Sequence, residues 1–254
     1  MSIRRVFLTV AFALSLAACV SCGGKVRSYG VKVLEQYPHD TTSYTQGLFF
    51  SQGRLYETTG QFGESTLRMV DPATGGALRR LDFDDKYFVE GSVVLDGKLY
   101  ILTWTNRVAF VYDAQTLEYV GAYSYPREGW GLTTDGESLI ASDGSSRLYF
   151  LDGQMRLRRS INVRYQGRPM RLLNELEWID GRIWANVYTS DLILVINPQS
   201  GEVEATVDCS GLLPRHLRSE RTDVLNGIAV DAEGNIYLTG KYWSRMYRVE
   251  LVGR

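Results

Sequence analysis

Alternating hydrophobic and polar residues recur in five similar segments along the chain. Each begins with a polar or aromatic residue, continues through alternating apolar positions to a glycine-bearing turn, and ends in a second alternating run. Such a pattern is typical of a β-hairpin. The second residues of the segments fall at positions 47, 91, 131, 175 and 227. The segments are QGLFFSQGRLYETTG, EGSVVLDGKLYILTW, WGLTTDGESLIASDG, NELEWIDGRIWANVY and NGIAVDAEGNIYLTG.

The runs that follow these hairpins predict the architecture. Four of the five segments are followed by two further strand-like runs, whereas the last is followed only by MYRVEL before the sequence ends. The missing run is available near the other terminus as GVKVLEQYP. A strand repeat with a period in the forties is typical of a propeller. We therefore predict an all-β fold, a five-bladed β-propeller of four-stranded blades, in which the N-terminal strand closes the last blade and removes free sheet edges. The alternative, a β-sandwich, does not explain why the strand-like run missing after the last hairpin is matched by an extra run before the first.

Composition excludes several functions. The 254 residues carry 28 basic and 29 acidic side chains, with no dense run of lysine or arginine. Such a chain has no general attraction for a phosphate backbone, so we do not expect nucleic acid as a partner. Three cysteines and two histidines give little material for a zinc site or a disulfide framework. We expect no metal and no other cofactor.

The N-terminus has the features of an exported lipoprotein. Arg4 and Arg5 precede an apolar stretch, residues 6–18, that is too short for a comfortable membrane-spanning helix. The sequence Leu-Ala-Ala-Cys then resembles the bacterial lipoprotein box, in which Cys19 is lipidated. We predict a signal peptide over residues 1–18, a lipidated tether over 19–28 and the propeller domain over 29–254, with the protein anchored in the cell envelope facing the periplasm, or secreted. An ordinary signal peptide is the alternative, and a disulfide between Cys22 and Cys209 is left open.

Propeller geometry predicts which side chains meet. The starts of the first strands and the ends of the second strands lie on one face of the ring, at the mouth of the central channel. The same face receives the longest connection, residues 210–224, and long loops on a rigid scaffold often carry function. The polar and aromatic side chains expected there are Gln46, Glu90, Trp104, Trp130, Asp143, Asn174, Glu175, Asn186, Tyr188, Asn226 and Lys241.

Motifs spread along the chain resemble a single family. PHDTTSYTQGL, EGSVVLDGKLYILTW, EGWGLTTDG, LNELEWIDGRIWANVY and VLNGIAVDAEGNIYLTGKYW are similar to segments of the plant and bacterial glutaminyl-peptide cyclotransferases, typified by the papaya enzyme, and occur in the same order. The resemblance covers residues 31–251. It implies a five-bladed propeller that converts the N-terminal glutamine of a peptide or protein to pyroglutamate and ammonia without a catalytic metal. Two positions depart from the family pattern: Tyr188 stands where many members have tryptophan, and Val89 where a small residue is expected.

The implied reaction gives each candidate residue a role. The substrate α-amine attacks its own γ-carboxamide, so a carboxylate must take a proton, and Glu90 is the expected base. The oxyanion of the tetrahedral intermediate needs hydrogen-bond donors, which we expect to be Lys241, Asn174 and Gln46. Either Lys241 or the protonated base returns a proton to the leaving ammonia. The expected substrate-binding residues are Trp104, Trp130, Tyr188, Glu175 and Asn226.

Plainer roles exist for several of these residues. Glu90 and Glu175 could accept backbone N–H groups at strand starts, and the two tryptophans could pack between blades. His39 and Asp40 precede the first hairpin, where we favour a structural hydrogen-bond network over acid–base chemistry.

Two other classes of protein remain as alternatives. One is a non-catalytic propeller that binds peptides or sugars at the same aromatic rim. The other, a calcium-dependent lactonase-like hydrolase, is disfavoured by the five-fold repeat and by the lack of a DxDxDG loop. For the leading hypothesis we expect a monomer whose partner is a glutamine-bearing peptide N-terminus, and which meets the membrane only through its lipid anchor.

Overall fold

Strands and turns make up nearly the whole described part of the chain. The computed structural model describes residues 25–254, and the predicted signal peptide, Cys19 and Cys22 lie outside them. Within this range the secondary structure includes one short 3-10 helix, Arg215–Leu217. No helix among these residues is long and apolar enough to cross a membrane. The described chain is therefore all-β, as the alternating pattern predicted.

Three antiparallel four-stranded sheets follow one another along the chain, each with its strands in chain order. The first contains β2 (Thr45–Ser51), β3 (Arg54–Thr59), β4 (Thr66–Val70) and β5 (Ala77–Asp82). The second contains β6 (Val89–Leu95), β7 (Lys98–Thr103), β8 (Val108–Asp113) and β9 (Tyr119–Ser124). The third contains β10 (Leu132–Thr134), β11 (Leu139–Ser142), β12 (Arg147–Leu151) and β13 (Leu157–Asn162). A two-stranded hairpin, which the sequence analysis did not predict, follows as β14 (Arg164–Tyr165) and β15 (Arg168–Pro169).

The last two groups of four strands form one continuous eight-stranded sheet. The fourth group contains β16 (Leu173–Ile179), β17 (Arg182–Val187), β18 (Leu192–Ile196) and β19 (Val203–Asp208). The fifth contains β20 (Leu225–Val230), β21 (Ile236–Gly240), β22 (Arg245–Gly253) and, as its outer strand, β1 (Arg27–Pro38). Strand β1 pairs antiparallel with β22 and parallel with β19. The N-terminal strand thus supplies the fourth strand of the fifth group.

The first strands of the five groups contact one another in a closed cycle. β2 contacts β6 and β20, β10 contacts β6 and β16, and β16 contacts β20. Their backbones approach so closely that only glycine fits at some positions. A Cβ atom on Gly131 would lie 2.0 Å from the carbonyl oxygen of Asn174, and one on Gly91 would lie 2.4 Å from the nitrogen of Leu132. Gly91 and Gly131 are the second residues of their repeats, so this part of the sequence pattern reflects close backbone approach.

Apolar side chains fill the spaces between the sheets, while the outer strands face solvent. Leu102 of the second sheet packs with Leu132 and Leu139 of the third in one such cluster. The outer strands β5 and β13 are almost entirely exposed, whereas the inner strands β2 and β6 are almost entirely buried. Each large apolar side chain that is fully buried contributes about 1.5–3 kcal/mol. The inner strands, and the side chains at their starts, are therefore held by a rigid scaffold.

Candidate active site

A cavity of about 200 Å³ lies where the starts of inner strands β2, β6 and β16 meet the ends of β7, β17 and β21. Strand starts and second-strand ends therefore share one face of the described chain. The cavity brings together seven of the side chains that the sequence analysis placed in one site, and adds three. The lining residues are Gln46, Glu90, Trp104, Trp130, Asn174, Tyr188 and Lys241, with Tyr44, Gln61 and Phe88.

Glu90, the second residue of β6, is a buried carboxylate in the cavity wall, with 4% of its surface exposed. Burial raises its pKa well above the ordinary value; the ammonium of Lys241 acts in the opposite direction, and the carboxylate of Glu128 adds to the rise. No backbone N–H among residues 25–254 contributes to this balance. Glu90 thus lacks the donors that the plainer structural role requires, and its carboxylate is a stronger base than an exposed glutamate.

Lys241 directly follows β21 and points its ammonium into the same cavity. Its backbone N–H donates to the carbonyl of Val224 at 2.9 Å, and its carbonyl accepts from the N–H of Asp223 at 3.0 Å. The Nζ atom lies 4.3 Å from the ring centre of Tyr44 and 5.1 Å from that of Tyr188, close enough for cation–π attraction. The 210–224 connection therefore anchors the lysine backbone, while two aromatic rings flank its charge.

Burial makes Lys241 a stronger acid than an exposed lysine. Burial lowers its pKa to about 8, although the carboxylates of Glu90 and Asp223 act in the other direction. A carboxyl with a raised pKa and an ammonium with a lowered one thus share a single small cavity. Shifts of this kind suit general base and general acid catalysis near neutral pH.

Five aromatic side chains form a chain of contacts around the cavity, which we call the aromatic belt: Trp104, Phe88, Tyr44, Tyr188 and Trp130. The Trp104 and Phe88 rings lie 5.5 Å apart, and the Phe88 and Tyr44 rings 6.1 Å apart, both edge to face. Tyr188 contacts Trp130 edge to face at 5.7 Å. The Lys241 ammonium lies over both Tyr44 and Tyr188. The belt surrounds the polar groups with an apolar wall, in the edge-to-face geometry that aromatic rings favour.

Asn174 and Gln46 place amide groups in the cavity, and both side chains are buried. The Oδ1 atom of Asn174 has no hydrogen-bond partner among residues 25–254. The Oε1 atom of Gln46 accepts a hydrogen bond from Asn226 Nδ2 at 3.4 Å. Asn174 therefore has an unsatisfied acceptor in its Oδ1 atom, while the Gln46 amide is oriented by a neighbour through its Oε1 atom.

Asn226 and Asn186 lie behind the cavity rather than in its wall. Asn226 Nδ2 donates to the carbonyl of Thr45 at 2.9 Å in addition to Gln46. Asn186 Oδ1 accepts from the N–H of Gly227 at 3.0 Å. Both side chains are fully buried; Asn226 links inner strand β20 to β2, and Asn186 links β17 to β20. The structure therefore places Asn226 behind Gln46, outside the cavity lining.

Glu175, the other glutamate at an inner strand start, also lies outside the cavity lining. Its carboxylate accepts the N–H of Leu48 at 3.4 Å and that of Ile228 at 2.9 Å. Burial raises its pKa well above the ordinary value, and the charge of Glu177 adds to the rise. The plainer role fits this residue: it ties β16 to β2 and β20.

Asp143, which was expected at the channel mouth, lies in a turn outside the cavity lining, and the segment that precedes β2 forms the hydrogen-bond network expected of His39 and Asp40. Asp143 Oδ1 accepts the N–H of Ser145 at 3.0 Å in a turn. The ring of buried His39 bonds to Glu57 through Nε2 at 2.8 Å and to the carbonyl of Trp243 through Nδ1 at 2.8 Å. The Arg68 guanidinium pairs with Asp40. This network fixes the segment that leads into Tyr44. Among the described residues, no group of three or more His, Cys, Asp and Glu side chains is arranged to hold a metal ion.

Two of the three unpredicted lining residues had a signal in the sequence. Tyr44 lies two positions before Gln46, and Phe88 two positions before Glu90. Side chains two apart in extended backbone point to the same face, so the alternation could have placed both. Gln61 had no such signal. It follows β3 with a backbone φ of 101°, a left-handed conformation that a non-glycine residue rarely adopts.

The fold and the cavity together define an all-β protein with a small, aromatic-walled site for acid–base chemistry. The chain belongs to the glutamine cyclotransferase family, whose sequence profile matches residues 6–251. It is 39% identical over 227 residues to the glutaminyl-peptide cyclotransferase of Arabidopsis thaliana, which covers 87% of this chain and 71% of that protein. It also superposes on the crystal structure of Myxococcus xanthus glutaminyl cyclase with a TM-score of 0.84 and 33% identity, over 91% of this chain and all of that one (100%).

Proposed function

We propose that the protein is a glutaminyl-peptide cyclotransferase, which converts the N-terminal glutamine of a peptide or protein to pyroglutamate and releases ammonia. Membership of the glutamine cyclotransferase family supports this reaction. The single observation that carries it to particular residues is the joint placement of Glu90 and Lys241 in one aromatic-walled cavity of about 200 Å³. A cavity of this size suits one side chain rather than a folded partner surface.

The first chemical step forms a bond between the substrate α-nitrogen and its own γ-carboxamide carbon. A free α-ammonium has a pKa of about 8, so it must lose a proton before it can attack. Glu90 holds the ammonium and accepts that proton, because burial raises the pKa of its carboxyl toward that of the amine. Closure of a five-membered ring has high effective molarity, so the enzyme mainly orients the two groups.

The second step breaks the bond between the carboxamide carbon and its nitrogen. Negative charge first collects on the carboxamide oxygen, where Lys241, Asn174 and Gln46 donate hydrogen bonds. The leaving nitrogen then takes a proton from Lys241 or from protonated Glu90 and departs as ammonia. A pKa of about 8 makes Lys241 able to give up its proton near neutral pH. Because these side chains supply both the base and the electrophilic stabilisation, the proposed reaction needs no metal.

The aromatic belt has a separate role in the proposed reaction. Trp104, Trp130 and Tyr188 wall the glutamine side chain and keep water from the carboxamide carbon. Attack by water there would give glutamate instead of pyroglutamate. Exclusion of water also strengthens the hydrogen bonds to the oxyanion, since charges interact more strongly in a medium of low dielectric constant.

Turnover of defined dipeptides tests the proposal. The domain that begins at Lys25 is incubated with a Gln-X dipeptide, with the X-Gln dipeptide as control, and both ammonia and pyroglutamate are measured with and without a chelator. We expect equal amounts of both products from Gln-X only, unchanged by the chelator. Loss of activity on chelation would overturn metal independence. No turnover of any N-terminal glutamine would leave the alternative of a non-catalytic propeller that binds peptides or sugars at its rim.

We also propose that the five groups of four strands are the blades of a five-bladed β-propeller. The closed cycle of contacts among β2, β6, β10, β16 and β20 supports this arrangement. The pairing of β1 with β22 supports the closure of the last blade by the N-terminal strand. In such a ring the cavity lies at one mouth of the central channel.

The proposed location of the protein is the cell envelope. The sequence over residues 1–19 supports a lipoprotein signal peptide with lipidation at Cys19, and hence a protein that is tethered to a membrane and faces the periplasm. Expression of the full chain and of Cys19→Ser, followed by separation of membranes, tests this. We expect the wild-type chain in the membrane fraction and the variant in the soluble fraction. Equal partition of the two would contradict lipidation at Cys19.

A further inference from the structure

Glu128 lies behind the cavity, in the connection between β9 and β10, and contacts both tryptophans of the aromatic belt. Its Oε2 atom accepts a hydrogen bond from Trp104 Nε1 at 2.9 Å. The same oxygen also accepts from Trp130 Nε1, at 3.4 Å. The side chain is half-buried and is not part of the cavity lining. One carboxylate oxygen therefore links two indole rings that come from different sheets.

This link closes the aromatic belt. From Trp104 the ring contacts run through Phe88 to Tyr44, and from Trp130 they run to Tyr188, with the Lys241 ammonium between the two tyrosines. Edge contacts between rings permit sliding and rotation. A charged acceptor between two N–H groups is stronger and more directional. Glu128 thus restrains the two indoles at one end of this series of contacts. Lys241 links the two tyrosines at the other end.

We propose that Glu128 is a positioning residue of the reaction: it holds Trp104 and Trp130 in the orientation that walls the glutamine side chain, and its charge acts on Glu90. This proposal rests on the proposed function. Glu128 acts through the two indoles and through space, since it does not line the cavity itself.

The charge of Glu128 has an effect that can be separated from its hydrogen bonds. Burial has the largest effect on Glu90, and the charged groups that act on it are Lys241, which lowers its pKa, and Glu128, which raises it. Replacement of Glu128 by glutamine removes the charge but leaves an oxygen that accepts both indole N–H groups. Replacement by alanine removes both. A glutamate that only supported the loop would affect stability and leave the pH dependence unchanged.

Steady-state kinetics across pH on a Gln-X dipeptide distinguish these effects in Glu128→Gln and Glu128→Ala. We expect Glu128→Gln to keep the wild-type KM and to shift the acid limb of kcat/KM to lower pH. At a fixed pH on that limb, kcat/KM as a fraction of its plateau value should be about twofold or more higher in the variant than in the wild-type protein. We expect Glu128→Ala to show the same shift and a KM raised about tenfold. The control is Glu64→Gln, an exposed glutamate whose only ion pair, among the described residues, is with Arg221 at 3.9 Å. Unshifted limbs in both variants, with an unchanged KM in the alanine variant, would overturn the proposal.

Indole resonances give a readout that does not depend on turnover. The chain has five tryptophans, and labelling of their side chains with ¹⁵N gives one indole N–H signal for each. We expect two of the five signals to move upfield in Glu128→Ala, and none to do so in Glu64→Gln. If the wild-type protein turns over no glutamine, the proposed function fails even when these signals move. If the wild-type protein is active but no signal moves, the positioning role fails and the proposed function stands.

Discussion

At the residue scale, the partners of a buried carboxylate determine what it does. Burial alone would raise the pKa of Glu57, but His39 and Arg68 more than offset this and lower it. Burial raises the pKa of Glu90, and among the described residues the group that opposes this is Lys241. Glu57 is therefore a fixed anion inside a hydrogen-bonded network, whereas Glu90 is a base with a free lone pair in a cavity. The family reaction requires the second kind of carboxylate.

Replacement of Lys241 tests the partner of that base. Lys241→Met removes one oxyanion donor, so we expect kcat to fall about 10²–10³-fold with a smaller change in KM. In the wild-type protein the lysine must be protonated, so activity is lost as pH rises through about 8. This alkaline limb should be absent from the residual activity of the variant. Lys98→Met, at an exposed lysine at the start of β7, is the control. A wild-type kcat in Lys241→Met would contradict the assignment.

At the element scale, the inner strands carry the site at their starts and hold one another together farther along. On β16, Asn174 reaches the cavity while Glu175 and Glu177 accept backbone N–H groups of β20. A carboxylate can accept an N–H from each of two strands at once, which an apolar side chain cannot do. Glu175 and Glu177 therefore hold β16 to β2 and β20 by hydrogen bonds.

Glu177→Gln tests the cost of a buried carboxylate in this region. Burial raises the pKa of Glu177 to about 8, so between roughly pH 4.5 and 8 the folded state binds a proton that the unfolded state has lost. The free energy of unfolding therefore falls as pH rises through that window, by about 1.4 kcal/mol for each unit of pKa difference. Glutamine resembles the protonated acid, so we expect equal stability near pH 5 and a more stable variant at pH 9.

Urea unfolding at pH 5, 7 and 9 measures this difference. Glu233→Gln, at an exposed glutamate in the turn between β20 and β21, is the matched control and should follow the wild-type protein at all three values. The contrary result is a free energy of unfolding that declines with pH as steeply in Glu177→Gln as in the wild-type protein. It would show that Glu177 is ionised in the folded state from pH 5 to 9.

At the scale of the whole molecule, the cavity depends on the contact between the two ends of the described chain. Strand β1 pairs with β22 over most of its length and continues the sheet to β19. Lys241 lies between β21 and β22, and the segment after β1 leads through His39 to Tyr44. The same closure that removes the sheet edges therefore places the ammonium against the Tyr44 ring.

Removal of β1 tests this dependence. A chain that begins at residue 39 leaves β22 and β19 with unpaired backbone groups, and we expect a loss of solubility or a Tm lower by more than 10 °C, with loss of turnover. A chain that begins at residue 25 is the control and should match the full mature protein. Addition of a synthetic peptide of residues 27–38 should restore part of the stability by strand addition. An unchanged Tm in the shortened chain would contradict closure by β1.

Sequence reasoning reached those features that depend on periodicity. Alternation and glycine turns predicted the five hairpins, and the surplus strand at the N-terminus predicted the β1–β22 pairing. Side chains that share a strand-start position, such as Glu90 and Asn174, could be brought together on that basis. Periodicity could not predict features that depend on tertiary contacts or on an unusual backbone conformation. These are the bonds of Glu175 to two other strands, the bridge that Glu128 makes between two indoles, and the left-handed backbone of Gln61.

The most direct test of the account is the rate of ammonia release by Glu90→Gln. Glutamine fills the same space but cannot accept the proton of the α-ammonium, so kcat should fall about 10²–10⁴-fold while the protein remains folded. Glu64→Gln, which removes a carboxylate that is exposed at the surface, should retain the wild-type rate. If Glu90→Gln releases ammonia as fast as the wild-type protein, Glu90 is not the base and the proposed mechanism is wrong.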